Sequence, residues 1–270
     1  MEKTKKKIRW KKILIIALIV IAALGLIELA AIGLLGHMGP FSFLYDMKFN
    51  LAAGNAGTYG FDRIEPAADS PLQGKNICVL GSSVTYGMAS GQDAVAEYLG
   101  ARLGCTFTKE AVSGTTLADT GKDSYVQRMY RLDPNAHYDL FICQLSTNDA
   151  GKVPLGDITD GTPDASTTTG AMETIIRYVS DTWHCPVVFF TNARYDSEAY
   201  AEMIKRLYEL REKYGIGIID LWSDDGFNAI PDTQRKLYMY DRIHPTKAGY
   251  RDWWGPELER QLKVYLSTDN

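Results

Sequence analysis

Residues 76–83 read Asn76-Ile77-Cys78-Val79-Leu80-Gly81-Ser82-Ser83. The apolar run Ile77–Leu80, closed by a glycine and two serines, predicts a short strand buried on both faces with polar residues at its carboxyl end. Similar runs follow at 106–112, 139–145, 186–190 and 216–221. Between them the apolar spacing is helical. Asp93 is placed to cap a helix burying Ala94, Val95, Tyr98 and Leu99, and Ser124–Leu132 forms a second. Thr169 opens a third through Met172, Ile175, Ile176 and Val179; Glu198–Tyr214 and Thr246–Leu266 complete the set. Strands that are apolar on both faces and alternate with helices predict a three-layer α/β/α domain with a mostly parallel five-stranded sheet. Such sheets take their ligands beyond the carboxyl ends of the strands. The tips to inspect are therefore 81–85, 112–116, 146–149, 191–195 and 222–226.

Upstream of this domain the chain changes character. Residues 1–12, MEKTKKKIRWKK, hold seven Lys/Arg and one Glu. Ile13–Leu35 follows with Glu28 as its one charge, and 23 helical residues span about 35 Å, enough to cross a hydrocarbon core of about 30 Å. The basic cluster in front of the span predicts a cytoplasmic N-terminus and an extracytoplasmic remainder. The run exceeds the usual signal-peptide core, and no clear small-residue cleavage site follows, so an uncleaved anchor is expected; secretion after cleavage is the alternative. The expected organisation is a basic N-terminus over 1–12, a transmembrane signal-anchor helix over 13–35, a connector over 36–72 and the α/β domain over 73–270. In the connector, Phe41, Phe43, Tyr45 and Phe49 suit either a membrane–water interface or packing on the domain. Residues 54–57 and 67–71 read as turns.

The remaining 22 basic and 31 acidic residues leave the chain beyond position 35 about nine charges negative. Nucleic acid rewards the opposite sign, so it is not an expected partner, and a strongly anionic polymer is disfavoured as substrate. Cys78, Cys105, Cys143 and Cys185 show no metal-ligand spacing and fall in or beside strands, which suits small buried thiols.

Four strand-tip or helix-start motifs carry chemistry. Gly81-Ser82-Ser83 ends the first strand; Ser113-Gly114-Thr115 follows the second; Ser146-Thr147-Asn148-Asp149 ends the third; Tyr240-Asp241-Arg242-Ile243-His244-Pro245 precedes the last helix. A tip serine projects a hydroxyl, and a tip glycine lets a backbone N–H approach a ligand closely. Asn supplies a neutral amide donor suited to an oxyanion. A carboxylate three residues before a histidine can hold one ring nitrogen while the other faces a hydroxyl. Each motif alone reads as a turn or cap; all four fall on one edge of the predicted sheet. Asp149 and Asp220, at strand ends, are expected to order loops. Asp224, Asp225 and Asp232 lack the spacing to replace Asp241. His37, His137 and His184 read as structural or exposed, and Arg194 is a candidate pocket residue.

In this order the motifs resemble the SGNH/GDSL hydrolase family, over about Lys75–Tyr265. The resemblance implies a flavodoxin-like SGNH hydrolase fold behind one N-terminal transmembrane helix. It implies Ser83 as nucleophile, His244 as general base and Asp241 as its orienting acid. The Ser83 and Gly114 N–H groups and the Asn148 amide would form the oxyanion hole. No cofactor or metal is called for. Ser82 stands where the family carries Asp, which keeps Ser82 as the alternative nucleophile. Ser146 stands where Gly is common, which is expected to narrow the pocket beside Asn148. The implied function is an extracytoplasmic serine esterase acting on O-acetyl or short acyl esters, on envelope glycans among others. An acyltransferase acting on surface polymers and a non-catalytic glycan-binding module are the alternatives. Residues 151–170, rich in Thr, Gly and Asp, are expected to form a loop over the site.

Overall fold

The computed structural model describes residues 2–35 and 47–268. It contains two compact units, residues 1–51 and 52–270. The first holds a single long helix, α1, Glu2–Leu35, and a helical turn at 47–50. Within α1, Trp10–Glu28 has a mean hydropathy of 2.4 and is long and apolar enough to cross a membrane, a description a signal sequence also meets. Phe49 is buried. His37, Phe41, Phe43 and Tyr45 lie outside the described residues.

The second unit is built on five parallel strands: β1 Asn76–Gly81, β2 Thr106–Ala111, β3 Leu140–Gln144, β4 Val187–Phe190 and β5 Gly217–Ile219. Their order is β2-β1-β3-β4-β5. Register pairs Leu80 with Glu110 and with Cys143, and Gln144 with Phe190. The order reverses between β1 and β3, and a crevice opens there at the strands' carboxyl ends.

Alternation along each strand feeds two cores, as expected for strands apolar on both faces. Cys78, Leu80, Phe141, Cys143 and Phe189 point to one face. There they meet α4 (Tyr125–Met129), α5 (Thr168–Trp183) and α6 (Glu198–Tyr214) through Met129, Ile175, Val179, Trp183 and Leu207. Ile77, Val79, Ile142, Val188 and Phe190 point to the other, against α3 (Val95–Leu103) and α10 (Gly255–Thr268) through Leu99, Leu103, Leu258 and Leu262. All four cysteines are free and buried. Burial pushes the Cys105 and Cys185 thiols up to about 11, so they act as packing groups.

Helix starts follow local chemistry. The Ser124, Thr167 and Ser197 hydroxyls accept from Gln127, Gly170 and Tyr200 N–H groups, capping α4, α5 and α6. Asp93 is not a cap. The helix begins one residue later, Glu97 accepts from the Ala94 N–H at 3.1 Å, and Asp93 pairs with Lys247 at 2.9 Å. The last helix is also not uniform: α9, Lys247–Gly249, runs through a π-helical turn at Tyr250–Trp254 into α10. Short helices α7 (Asp225–Asn228) and α8 (Asp232–Tyr238) precede it and carry no strong apolar period that sequence could register.

The compact unit starts at Ala52, ahead of the residue-73 boundary expected for the domain. Three 3₁₀ turns between Ala53 and Arg63 occupy much of the expected connector. Phe61 and Leu72 join the second core. Asn55, 9% exposed, donates Nδ2 to Ala89 O at 2.6 Å and accepts the Lys247 N–H at 2.8 Å.

Candidate active site

Strand β1 delivers Ser82 and Ser83 into a tight turn, the start of α2 (Ser83–Tyr86). A Cβ on Gly81 would collide with Thr85 Oγ1 and Gln144 Oε1, so only glycine lets the turn close on β3. Gln144 is the organising residue there. Its Oε1 accepts from the Ser82 N–H (2.9 Å), the Thr85 N–H (3.1 Å) and Thr85 Oγ1 (2.9 Å), all buried. Buried Arg128 pins the outer side, donating to Gly81 O at 2.7 Å and Glu110 O at 2.8 Å. Sequence reasoning left both residues unassigned. An amide ending an otherwise apolar strand was the available signal for Gln144.

The turn fixes two serines in opposite roles. Ser82 is fully buried and accepts from Gln144 Nε2 and Asn148 Nδ2, each at 3.3 Å. Ser83 turns outward, and its Oγ lies 2.8 Å from His244 Nε2. His244 Nδ1 in turn lies 2.8 Å and 3.0 Å from the two carboxylate oxygens of Asp241. Asp241 Oδ1 also accepts the Ile243 and His244 N–H groups, both at 2.8 Å. The surface-turn and imidazole-holding readings of this motif therefore coexist. Burial disfavours the charged Asp241, but the His244 hydrogen bond and charge, with the two N–H groups, outweigh it and hold the carboxyl below its usual range. A bridge between Met239 and Pro245 and the Tyr240 N–H to His244 O bond (2.9 Å) close the loop.

Gly114 follows β2 with φ +81°, where an L side chain is strained, and nothing lies within 4 Å of its missing Cβ. Its loop is tied to β3 by Asp149, whose carboxylate accepts the Leu117 (2.7 Å) and Ala118 (2.9 Å) N–H groups. Burial raises the Asp149 carboxyl despite these bonds and one from Ser146. Asn148 Nδ2 donates to Thr115 O at 2.9 Å as well as to Ser82. The Ser83 and Gly114 N–H groups have no acceptor among the described residues.

Ser83, Gly114, Asn148 and His244 line one cavity of about 340 Å³. Lys152, Tyr195, Asp196 and Arg242 share its wall, a group that sequence reasoning did not single out. Burial pushes the Tyr195 phenol up to about 12, so it is neutral.

Several expectations fail here. Arg194 stays outside the cavity: Asn228 Oδ1 accepts its N–H, Trp222 O accepts its Nε at 2.9 Å, and it pairs with Asp225. Ser146 does not narrow the pocket, because it is fully buried and its Oγ accepts the Asn148 N–H at 3.1 Å. Residues 151–167 do not arch over the site. Val153, Leu155, Ile158 and Ala165 pack on the first core. Arg177 and Lys213 donate to Thr159 O, and Arg206 to Gly156 O, which holds the segment down on α5 and α6. Of this segment Lys152 reaches the cavity, beside Ala150 just ahead of it.

Other expectations hold. Asp220 orders its loop by accepting from Thr191 Oγ1 and the Trp222 and Ser223 N–H groups, each at 3.0 Å. Asp224 caps α7, Asp225 pairs with Arg194 and Asp232 stands in the first turn of α8, while the carboxylate on His244 is that of Asp241. His137 is exposed beside Asp139, and His184 contacts Ser180 O at the end of α5.

Comparison with solved structures agrees with this architecture. A protein from Lactobacillus plantarum matches at 22% identity and TM-score 0.59, covering 73% of this chain and 98% of that one. A Bacteroides ovatus protein assigned to the GDSL-like lipases matches at 19% identity and TM-score 0.54, covering 73% and 99%. A family two carbohydrate esterase from Clostridium thermocellum, solved in complex with cellohexaose, matches at 14% identity and TM-score 0.54, covering 74% and 67%. At these identities the likeness establishes the fold. No curated protein matches the chain. The model of the GDSL-like Lipase/Acylhydrolase family matches residues 79–251, a segment that includes every strand tip and the His244 loop. The chain belongs to the GDSL-like lipase/acylhydrolase family, whose members are ester-hydrolysing enzymes.

Proposed function

We propose that this chain is a membrane-anchored, extracytoplasmic serine esterase that removes short acyl groups through Ser83, His244 and Asp241. One observation carries the proposal. The contacts Asp241–His244 and His244–Ser83, each 2.8 Å, run in line to a hydroxyl facing the same cavity as Gly114 and Asn148.

In the mechanism, Asp241 holds a proton on His244 Nδ1 and so leaves Nε2 to take the Ser83 proton during attack on the ester carbonyl. The carbonyl oxygen becomes an oxyanion and receives the Ser83 and Gly114 N–H groups. Asn148 keeps one amide hydrogen on Thr115 O; the other, in the long 3.3 Å contact with Ser82, turns to the oxyanion. His244 returns its proton to the departing alcohol, leaving an acyl-Ser83 ester. Water, deprotonated by His244, then frees the acid. Ser83 is preferred to Ser82 because the buried Ser82 hydroxyl is engaged by two amides and has no contact with His244.

The cavity is near the small end of ligand pockets, which run from about 300 to 1,000 Å³. That supports acetyl or another short acyl group. The carbohydrate esterase among the structural neighbours supports an O-acylated glycan. The basic residues at the start of α1, ahead of its apolar stretch, support an anchor with its N-terminus in the cytoplasm.

The test is hydrolysis of 4-nitrophenyl acetate, butyrate and octanoate by the full chain in detergent, beside Ser83→Ala. Turnover that favours acetate and disappears in the variant is expected. Full activity in Ser83→Ala would overturn the assignment, and a folded wild type inert towards all three would point to acyl transfer or to a binding module.

A further inference from the structure

The cavity wall carries two cations that form no salt bridge among the described residues. The Lys152 side chain, four residues after Asn148, makes no hydrogen bond or salt bridge among the described residues, although its charge acts on the buried Asp149 carboxylate. Arg242, between Asp241 and His244, makes none either; its guanidinium lies 6.0 Å from the centre of the Tyr195 ring. Both are exposed, at the mouth of the cavity. Elsewhere in the domain arginines and lysines pair readily, as in Arg102–Glu259, Lys109–Glu97 and Lys213–Asp160. Nearby carboxylates form no salt bridge with either cation. Asp241 is committed to His244, Asp149 is buried behind the wall on two backbone N–H groups, and Asp196 lines the cavity without pairing to either cation. A domain about nine charges negative thus presents local positive charge beside its nucleophile.

We propose that the ester taken by this site bears an anionic group, a carboxylate or a phosphate, on its alcohol part, and that Lys152 and Arg242 hold it. The inference rests on the esterase reading above. The alcohol side follows from geometry: the small cavity accommodates the acyl group, and the larger alcohol part leaves through the mouth, where the two cations stand. Arginine's planar fork suits either oxyanion, and its cation–π contact with Tyr195 favours a position over the ring. The net negative domain keeps polyanions at a distance, whereas one anionic group beside the ester meets only the local charge. Lys152 and Arg242 are thus specificity-determining residues.

The experiment compares three acetyl esters with the full chain in detergent: neutral 4-acetoxybenzamide, 4-acetoxybenzoate and 4-acetoxyphenyl phosphate. The readout is kcat/KM on each anionic ester divided by that on the neutral one, within the same protein, so general damage to the His244 loop cancels. In Lys152→Gln/Arg242→Gln the quotient is expected to fall about tenfold, a size in keeping with two exposed charge contacts. In the wild type, raising salt should lower it as well. A fall confined to the benzoate assigns a carboxylate-bearing substrate, and one confined to the phosphate assigns a phosphate-bearing substrate. A quotient unmoved for both anions, with the neutral ester still cleaved through Ser83, overturns this inference and leaves the esterase reading standing. A folded wild type that cleaves none of the three overturns both.

Discussion

Ser83 and His244 face each other across 2.8 Å, but their supports differ in kind. Ser83 is 4% exposed, at the tip of a central strand, on a turn whose N–H groups and hydroxyls end on Gln144 and whose carbonyl ends on Arg128. His244 sits on a surface loop whose orienting carboxylate is 43% exposed. That loop is closed by one bridge and steadied from below by Asn55, 192 residues away from Lys247 in sequence. Ser83, the proposed nucleophile, is therefore held by the interior, where a lost hydrogen bond strands a buried polar group, and His244, the proposed base, by contacts that water can replace. Damage to the first support should appear in stability, and damage to the second mainly in rate.

The largest expected effect separates the two serines. Ser83→Ala should lower kcat/KM on 4-nitrophenyl acetate by about 10⁴-fold or more, as loss of a serine nucleophile does elsewhere. Ser82→Ala should stay within about tenfold, since it removes only two long contacts. Equal losses from the two would break the distinction between an outward and an inward hydroxyl. Asn148→Ala should cost about 10²–10³ in kcat with KM little changed, if its second amide hydrogen serves the oxyanion.

Gln144→Leu tests the buried support. It leaves the Ser82 and Thr85 N–H groups without an acceptor and should destabilise the domain by about 2–4 kcal/mol, read as a lower Tm. Asn55→Ala tests the exposed support. A smaller loss, about 1–2 kcal/mol, is expected together with a several-fold fall in kcat. A normal kcat in that variant would mean that the segment braces the fold without positioning His244.

The smallest effect is on pH dependence. The Asp241 carboxyl is held below its usual range in the folded state. Its contribution to stability is therefore present above the ordinary carboxylate pKa, about 3.9, and is lost as pH falls through the lowered value. Acid titration of Tm should show a slightly weaker decline in Asp241→Asn than in the wild type.

The same contrast explains what could be read without coordinates. Strands β1, β3 and β4 announce themselves because burial on both faces leaves unbroken apolar runs, and their tips then locate Ser83 and Asn148. The Asp241–His244 pair is legible because both members lie on one short turn. Gln144, Arg128 and Asn55 act across 18 to 192 residues, and apart from the amide that ends an apolar strand no local pattern marks them. Asp93 looked like a cap because its type suits one, and its ion pair with Lys247 depends on how the last helix returns to the sheet. Residues 151–167 looked like a lid because they are polar, whereas four scattered apolar side chains and the arginines and lysine of α5 and α6 bind them to the body.

The most direct test of the central claim is covalent. The full chain, treated with a fluorophosphonate and digested for mass spectrometry, should carry one adduct, on Ser83. The adduct should persist in Ser82→Ala, vanish in Ser83→Ala and form far more slowly in His244→Ala. An adduct on Ser82, or ester hydrolysis by a chain that never labels, would contradict the account.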